Sequence, residues 1–345
     1  MKTTKIVWMA LCIGICLIFL SPLTTTAQVI NLNFADQNSN VGWGPVHALQ
    51  PWVKDVEKAT KGRVKITVYP SQTLAKAVDM WNAVKTGIAD IGWCFHGYWP
   101  GMTPLADVIS LPGLPFTTAE QGSELAWKVY EKFPSVQEQF QDNKVLLLYT
   151  SNPYILMTTK KRVKTIEDMK GLKLRTPGGP PTDQMKFLGA VPMLFAMPDC
   201  YISLQKGVID GMGAPWEAIL AFKLYEVVKY YTEAPLPIAY FSISMNKNKW
   251  NNLPKDIQDA IMSVSGLKGA KFWGHNFFDI CKQGTFDAAK KAGRDIDLYI
   301  LPEAERARWV EVSAKPIWGK WINNMKAKGF QQAQEILDTA IKMAK

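Results

Sequence analysis

The stretch Met169-Lys170-Gly171-Leu172-Lys173-Leu174-Arg175-Thr176-Pro177 decides how the rest of the chain is read. Gly171 stops a short helical turn, and the alternation after it predicts a strand. Successive strand side chains point to opposite faces, so Leu172, Leu174 and Thr176 share one face and Lys173 and Arg175 the other. Pro177 has no amide to continue a ladder, which puts Arg175 at the carboxyl end of its strand. In open α/β sheets that end borders the ligand crevice. A guanidinium there is a planar, permanently charged fork that matches a carboxylate. A surface arginine paired with a neighbouring acid would explain the same local pattern, so the reading needs the rest of the chain.

Working outward, strand and helix signals alternate. Ile30, Leu32 and Phe34 predict a strand, followed by a helix from about Gly44 to Thr60 that Pro51 should bend. Val64 to Tyr69 reads as a second strand, Ala75 to Lys85 as a helix, and Asp90 to Cys94 as a third strand. Val145 to Tyr149 is apolar throughout, as expected of a strand covered on both faces. Further strands are predicted at Ile155–Thr159, Leu172–Thr176, Val191–Phe195, Gly207–Met212 and Tyr240–Met245, with helices near Pro181–Leu188, Pro198–Gln205 and Trp216–Val227. Such alternation signals βαβ units and a parallel sheet. After Leu253-Pro254 a helical pattern runs from about Lys255 to Lys291. At 1.5 Å per residue it would be roughly 50 Å long, more than one small domain spans. The chain therefore reads as α/β with two lobes and a long helix across both. The division expected is 28–152 plus 241–280 for the first lobe and 153–240 plus 281–345 for the second. Hinges are expected near Thr150–Pro153, near Leu236–Phe241 and around Gly274–Gly284, where glycines would make the helix easy to bend.

Residues 1–27 read as an address. Lys2 and Lys5 precede an apolar run from Ile6 to Leu20, and Thr25 and Ala27 take the −3 and −1 positions of a small-residue cleavage site. That is a secretory signal peptide, not a membrane span, and it implies an exported, periplasmic protein starting near Gln28. Leu11 and Ile15 precede Cys12 and Cys16, which is not a lipoprotein pattern. Beyond the leader stand Cys94, Cys200 and Cys281, an odd and widely spaced set that makes a poor disulfide framework. The mature chain carries 38 Lys and Arg against 30 Asp and Glu, or +8. The cations are scattered without interleaved aromatics, which argues against nucleic acid and for a mild field that attracts small anions.

On these residues the chain resembles the solute-binding proteins of tripartite ATP-independent periplasmic (TRAP) transporters. The likeness runs through Gly62-Arg63-Val64 to Tyr69-Pro70-Ser71, Leu111-Pro112 to Pro115-Phe116, Ile166 to Pro177, Leu204 to Gly211, and Asn246 to Leu253-Pro254. The resemblance implies a periplasmic-binding-protein-like fold closing on a small organic acid, with the motif arginine, here Arg175, on its carboxylate. It also implies TRAP permease subunits as partners, a monomer, and no cofactor. Family members that bind polar acids often carry a second arginine about twenty residues before the motif; that place falls on Ile155. Sites often polar or aromatic in the family fall near Ala214, Met197 and Phe95. With Trp93, Phe95, Tyr98, Tyr154, Met197 and Trp216 in candidate lining positions, the pocket reads as one cation facing an oily wall. The expected ligand is a monocarboxylate with an apolar or aromatic tail. Each of those aromatics could equally be ordinary core.

Three rivals were weighed. Cys94 and His96 lie two apart on a strand end and could form a thiol nucleophile and base, though nothing orients His96. A metal would need carboxylate or imidazole clusters that do not accompany Glu217, whose place in a first helical turn has its own reason. A carrier that docks on a membrane sensor would share the same sequence features.

Overall fold

The alternating apolar residues at the start form β1 (Ile30–Ala35) in a computed structural model that describes residues 29–344. The leader expected at 1–27 lies outside the described residues. Then follow β2 (Val64–Tyr69), β3 (Ile91–Phe95), β4 (Asn143–Thr150), β5 (Ile155–Thr158) and β6 (Lys173–Thr176). The remaining strands are β7 (Val191–Leu194), β8 (Gly211–Ala214), β9 (Tyr230–Glu233), β10 (Tyr240–Asn246) and β11 (Leu298–Ile300). They build two sheets, ordered β2-β1-β3-β10-β4 and β11-β9-β5-β8-β6-β7. Each sheet centres a lobe; the larger apolar core, around Phe34, Trp52 and Leu147, runs on to Leu156 and Leu174 of the six-stranded sheet, and a smaller one gathers around Met157, Met212 and Ile219.

The sheets are mixed, which corrects the expectation of a parallel sheet. β1 runs parallel to β2 and β3, and β6 parallel to β7 and β8. β10 is antiparallel to β3 and β4, and β5 is antiparallel to β8 and β9. The reason is the crossing. β5 and β10 each begin where the chain has just changed lobes, so they run away from the junction while β1, β3, β6 and β8 run toward it. The two crossing segments hold each other: Ser151 N donates to Ala239 O at 2.9 Å, and Tyr154 N donates to Pro237 O at 3.1 Å.

The long helical pattern is two pieces. Lys255–Ser263 ends at Val264-Ser265, and Gly266 takes a positive φ of 56° that a helix cannot contain. From Gly266 the path runs to Lys291, roughly 40 Å, with a π-helical stretch at Gly274–Asp279. Its first part packs on β4 and on helix Ala119–Lys132 in the larger lobe, its last part on helix Trp216–Ala221 in the smaller. Pro51 falls in the first turn of helix Gln50–Ala59, directly after a π turn at Pro45–Leu49. Residues 281–345 do not all join the second lobe. Ala333–Ala344 packs on Ala119–Lys132, because its stripe of Ala333, Ile336, Leu337 and Ala340 needs an apolar partner and finds one there.

The glycines of the spanning helix are there for closeness, not for bending. A Cβ on Gly274 would lie 2.3 Å from Ser123 Oγ and 2.6 Å from Ala119 O, and one on Gly284 would lie 2.8 Å from Trp43 Cζ3. Gly274→Ala should therefore destabilise the protein by about 1–3 kcal/mol through overpacking. Gly319→Ala, on an exposed helix face with nothing near, should stabilise it by about 0.5–1 kcal/mol. Denaturant unfolding of both variants checks the pair, and a neutral Gly274→Ala would contradict the packing.

Candidate functional site

The carboxyl ends of β1, β3, β6 and β8 all reach the junction between the lobes, as ligand-bearing ends of α/β sheets do. They line a small cavity of about 40 Å³. Gln37 and Asn38 come from the turn after β1, Trp93 and Phe95 from β3, Arg175 from β6, and Ala214 and Glu217 from the end of β8 and the helix after it. Phe241 and Phe278 close the wall from β10 and the spanning helix.

The wall carries a cation. Arg175 is only 2% exposed, and its Nε donates to Phe195 O at 2.9 Å, which pins the guanidinium plane. Its Nη2 is buried with no hydrogen-bond partner. Tyr98 and Tyr154 stand beside it: burial raises both phenols, and the Arg175 charge draws both back down. The Tyr98 hydroxyl donates to Gln37 Oε1 at 3.2 Å and accepts from Met197 N at 3.1 Å, a tie between the lobes. Among the described residues Arg175 is the only Lys, Arg or His on the cavity wall. A buried cation with unspent donors is a receptor for an anion.

The wall also carries an acid. Glu217 is 4% exposed, its Oε1 has no partner, and burial pushes it from 4.5 up to about 8, helped by Asp36 and opposed by the Gly44 N–H. Asp36, just behind the wall, accepts from Asn38 N at 2.9 Å and Asn38 Nδ2 at 2.8 Å, yet burial still raises it from 3.8 to about 7. No group of three or more His, Cys, Asp or Glu side chains among the described residues is placed to hold a metal ion.

Of the residues singled out from sequence, Arg175, Trp93, Phe95, Tyr98, Tyr154, Met197 and Ala214 meet around this cavity. Ile155 and Trp216 do not. They line a different, larger surface cleft at the junction, with Pro153 and Leu236. Both miss by one position. Tyr154 turns to the cavity, so its neighbour Ile155 points the other way. Trp216 packs on Phe286 and Tyr231, ring centroids 5.1 and 6.2 Å apart, so Glu217 takes the cavity side. The sequence reading missed Gln37, Asn38, Phe222, Ala239, Phe241 and Phe278, and it set Glu217 aside. Position after a strand end was the available signal for Gln37 and Asn38; Phe278 carried none, because it looked like core.

Cys94 and His96 make no nucleophile–base pair. Burial drives the thiol up and the imidazole down to about 3, so both are neutral. His96 Nε2 bonds Ser242 Oγ at 2.8 Å and its ring stacks on Tyr240.

The two acids keep their protons in the folded protein at pH values where the unfolded chain has lost them. Folding therefore binds protons between pH 4.5 and about 8 for Glu217, and stability falls as pH rises through that window. Glu217→Gln removes the effect, so its gain in Tm over the unsubstituted protein should be small near pH 4.5 and grow up to pH 8. A gain that does not change with pH would contradict the burial of an acid there.

Comparison with known proteins fits this geometry. The structure of a TRAP solute-binding protein from Rhodoferax ferrireducens in complex with copurified benzoate is 27% identical, covers 92% of this chain and 98% of that one, and superposes with a TM-score of 0.85. A TRAP periplasmic solute-binding protein from Bordetella bronchiseptica with bound (R)- and (S)-mandelate is 29% identical, with coverage of 91% and 98% and a TM-score of 0.81. The 2,3-diketo-L-gulonate-binding periplasmic protein of Escherichia coli is 26% identical over 82% of this chain and 83% of its own. The family model described as bacterial extracellular solute-binding protein, family 7, matches residues 45–324. The chain belongs to that family, the solute-binding proteins of TRAP transporters.

Proposed function

We propose that the chain captures a small aromatic monocarboxylate between its lobes and delivers it to a TRAP-type permease for uptake. The observation that carries this is the single cation on the wall, Arg175, with a buried donor left free and an aromatic surround of Trp93, Phe95, Tyr98, Tyr154, Phe241 and Phe278. An aryl tail covers that surround and an ionised carboxylate meets the guanidinium. A second carboxylate would lose its water beside the buried acids Glu217 and Asp36 without meeting a second cation, which costs several kcal/mol. The benzoate and mandelate held by the Rhodoferax and Bordetella proteins support this class. The protein works as an exported, periplasmic monomer in this reading. Among the described residues no helix is long and apolar enough to cross a membrane.

Calorimetric titration tests the assignment. Benzoate or mandelate should bind and succinate should not. Arg175→Ala should cost about 2–5 kcal/mol, at least roughly thirtyfold in Kd. Arg175→Lys should also weaken binding, since an ammonium has no planar fork to offer. Near-native affinity in Arg175→Ala, or tight succinate binding, would overturn the reading.

A further inference from the structure

Two polar groups on the cavity wall are buried and unpartnered, one cationic and one acidic. Arg175 Nη2 is one and Glu217 Oε1 is the other. The Arg175 charge is felt by Tyr98, Tyr154 and Cys200; Glu217 acts instead on Tyr149 and Cys281 and is itself acted on by Asp36 and Gly44. A carboxylate bound at Arg175 satisfies only the first. Resting on the reading above, we propose that Glu217 is a second recognition group, hydrogen-bonding an uncharged hydroxyl on the ligand ring, so that the preferred ligand is a hydroxylated aromatic monocarboxylate.

A buried polar atom left unpaired is unfavourable, so a ligand that pairs Oε1 gains over one that presents only a C–H. A site built to pair a hydroxyl discriminates strongly against the analogue lacking it, because its own polar group is then stranded. The neighbourhood decides the charge of the ligand group. Asp36 stands behind Glu217, and Trp93 Nε1, the one indole donor on the wall, is spent on Tyr149 OH. An anionic group beside Glu217 would face two acids. Burial also keeps the Glu217 carboxyl protonated near neutral pH, able both to accept from a hydroxyl and to donate to it.

The test is titration of matched ligands: benzoate against 2-, 3- and 4-hydroxybenzoate, and phenylacetate against its hydroxylated forms, with 3- and 4-(aminomethyl)benzoate as cationic counterparts. On the unsubstituted protein at least one hydroxylated isomer should bind tenfold or more tightly than its parent acid. Glu217→Met should abolish that preference, and Glu217→Gln, which keeps a hydrogen-bonding amide, should retain it. The comparison on the unsubstituted protein needs no variant to fold. No isomer preferred, a preference that survives Glu217→Met, tighter binding of an ammonium ligand, or binding that requires an added metal ion would each overturn the proposal. If the parent acids bind and depend on Arg175 but no hydroxyl is preferred, only this inference falls. If no aromatic acid binds at all, the reading beneath it falls as well.

Discussion

A guanidinium buried to 2% exposure with a donor unspent is the constraint around which this molecule is arranged. A buried cation without a partner is costly, and nothing in the lobe that carries Arg175 relieves it except one carbonyl, that of Phe195. The position is tolerable only where an anion arrives from outside. Everything that surrounds the guanidinium sharpens that condition. Tyr98 and Tyr154 flank it, and aromatic rings remove water. The low dielectric that makes the empty-handed donor expensive also makes a single well-placed carboxylate a strong partner.

The topology explains why such a residue can be offered to a ligand at all. Four strands from two sheets end at one junction, and the chain passes through it at 150–155 and 233–240 as well as along the spanning helix. Those passages are bonded to one another by Ser151, Tyr154, Pro237 and Ala239, so they form a shared rib between the lobes. The cavity wall takes Gln37 and Phe95 from one sheet and Arg175 and Ala214 from the other. On the proposed function, a ligand held from both lobes favours the closed arrangement through contacts that arrangement alone makes.

Much of this was legible in sequence. Gly171, the alternation after it and Pro177 placed Arg175 at a strand end without help from any relative. Two positions were off by one residue. Period-two alternation tells faces apart but not which face meets the ligand, so Ile155 was read for Tyr154's side and Trp216 for Glu217's. Glu217 was set aside because its place in a first helical turn has an adequate local reason, and burial is invisible until the opposite lobe is in place. The mixed sheets were missed for a similar reason: strand direction is fixed by which lobe the chain has come from, and that is a long-range fact. Gly274 and Gly284 looked like bending points, but Ser123, Ala119 and Trp43 show that they are points of close approach. The cation and aromatic wall expected from Arg175, Trp93, Phe95, Tyr98 and Tyr154 do line the cavity, with Phe241 and Phe278 added; Ile155 does not line it.

A crystal structure grown with benzoate or mandelate tests the central claim most directly. The account predicts the carboxylate within hydrogen-bond distance of the Arg175 guanidinium, its ring among Trp93, Phe95 and Phe241. A ligand seated instead in the junction cleft beside Ile155 and Trp216, with Arg175 still unpaired, would contradict it.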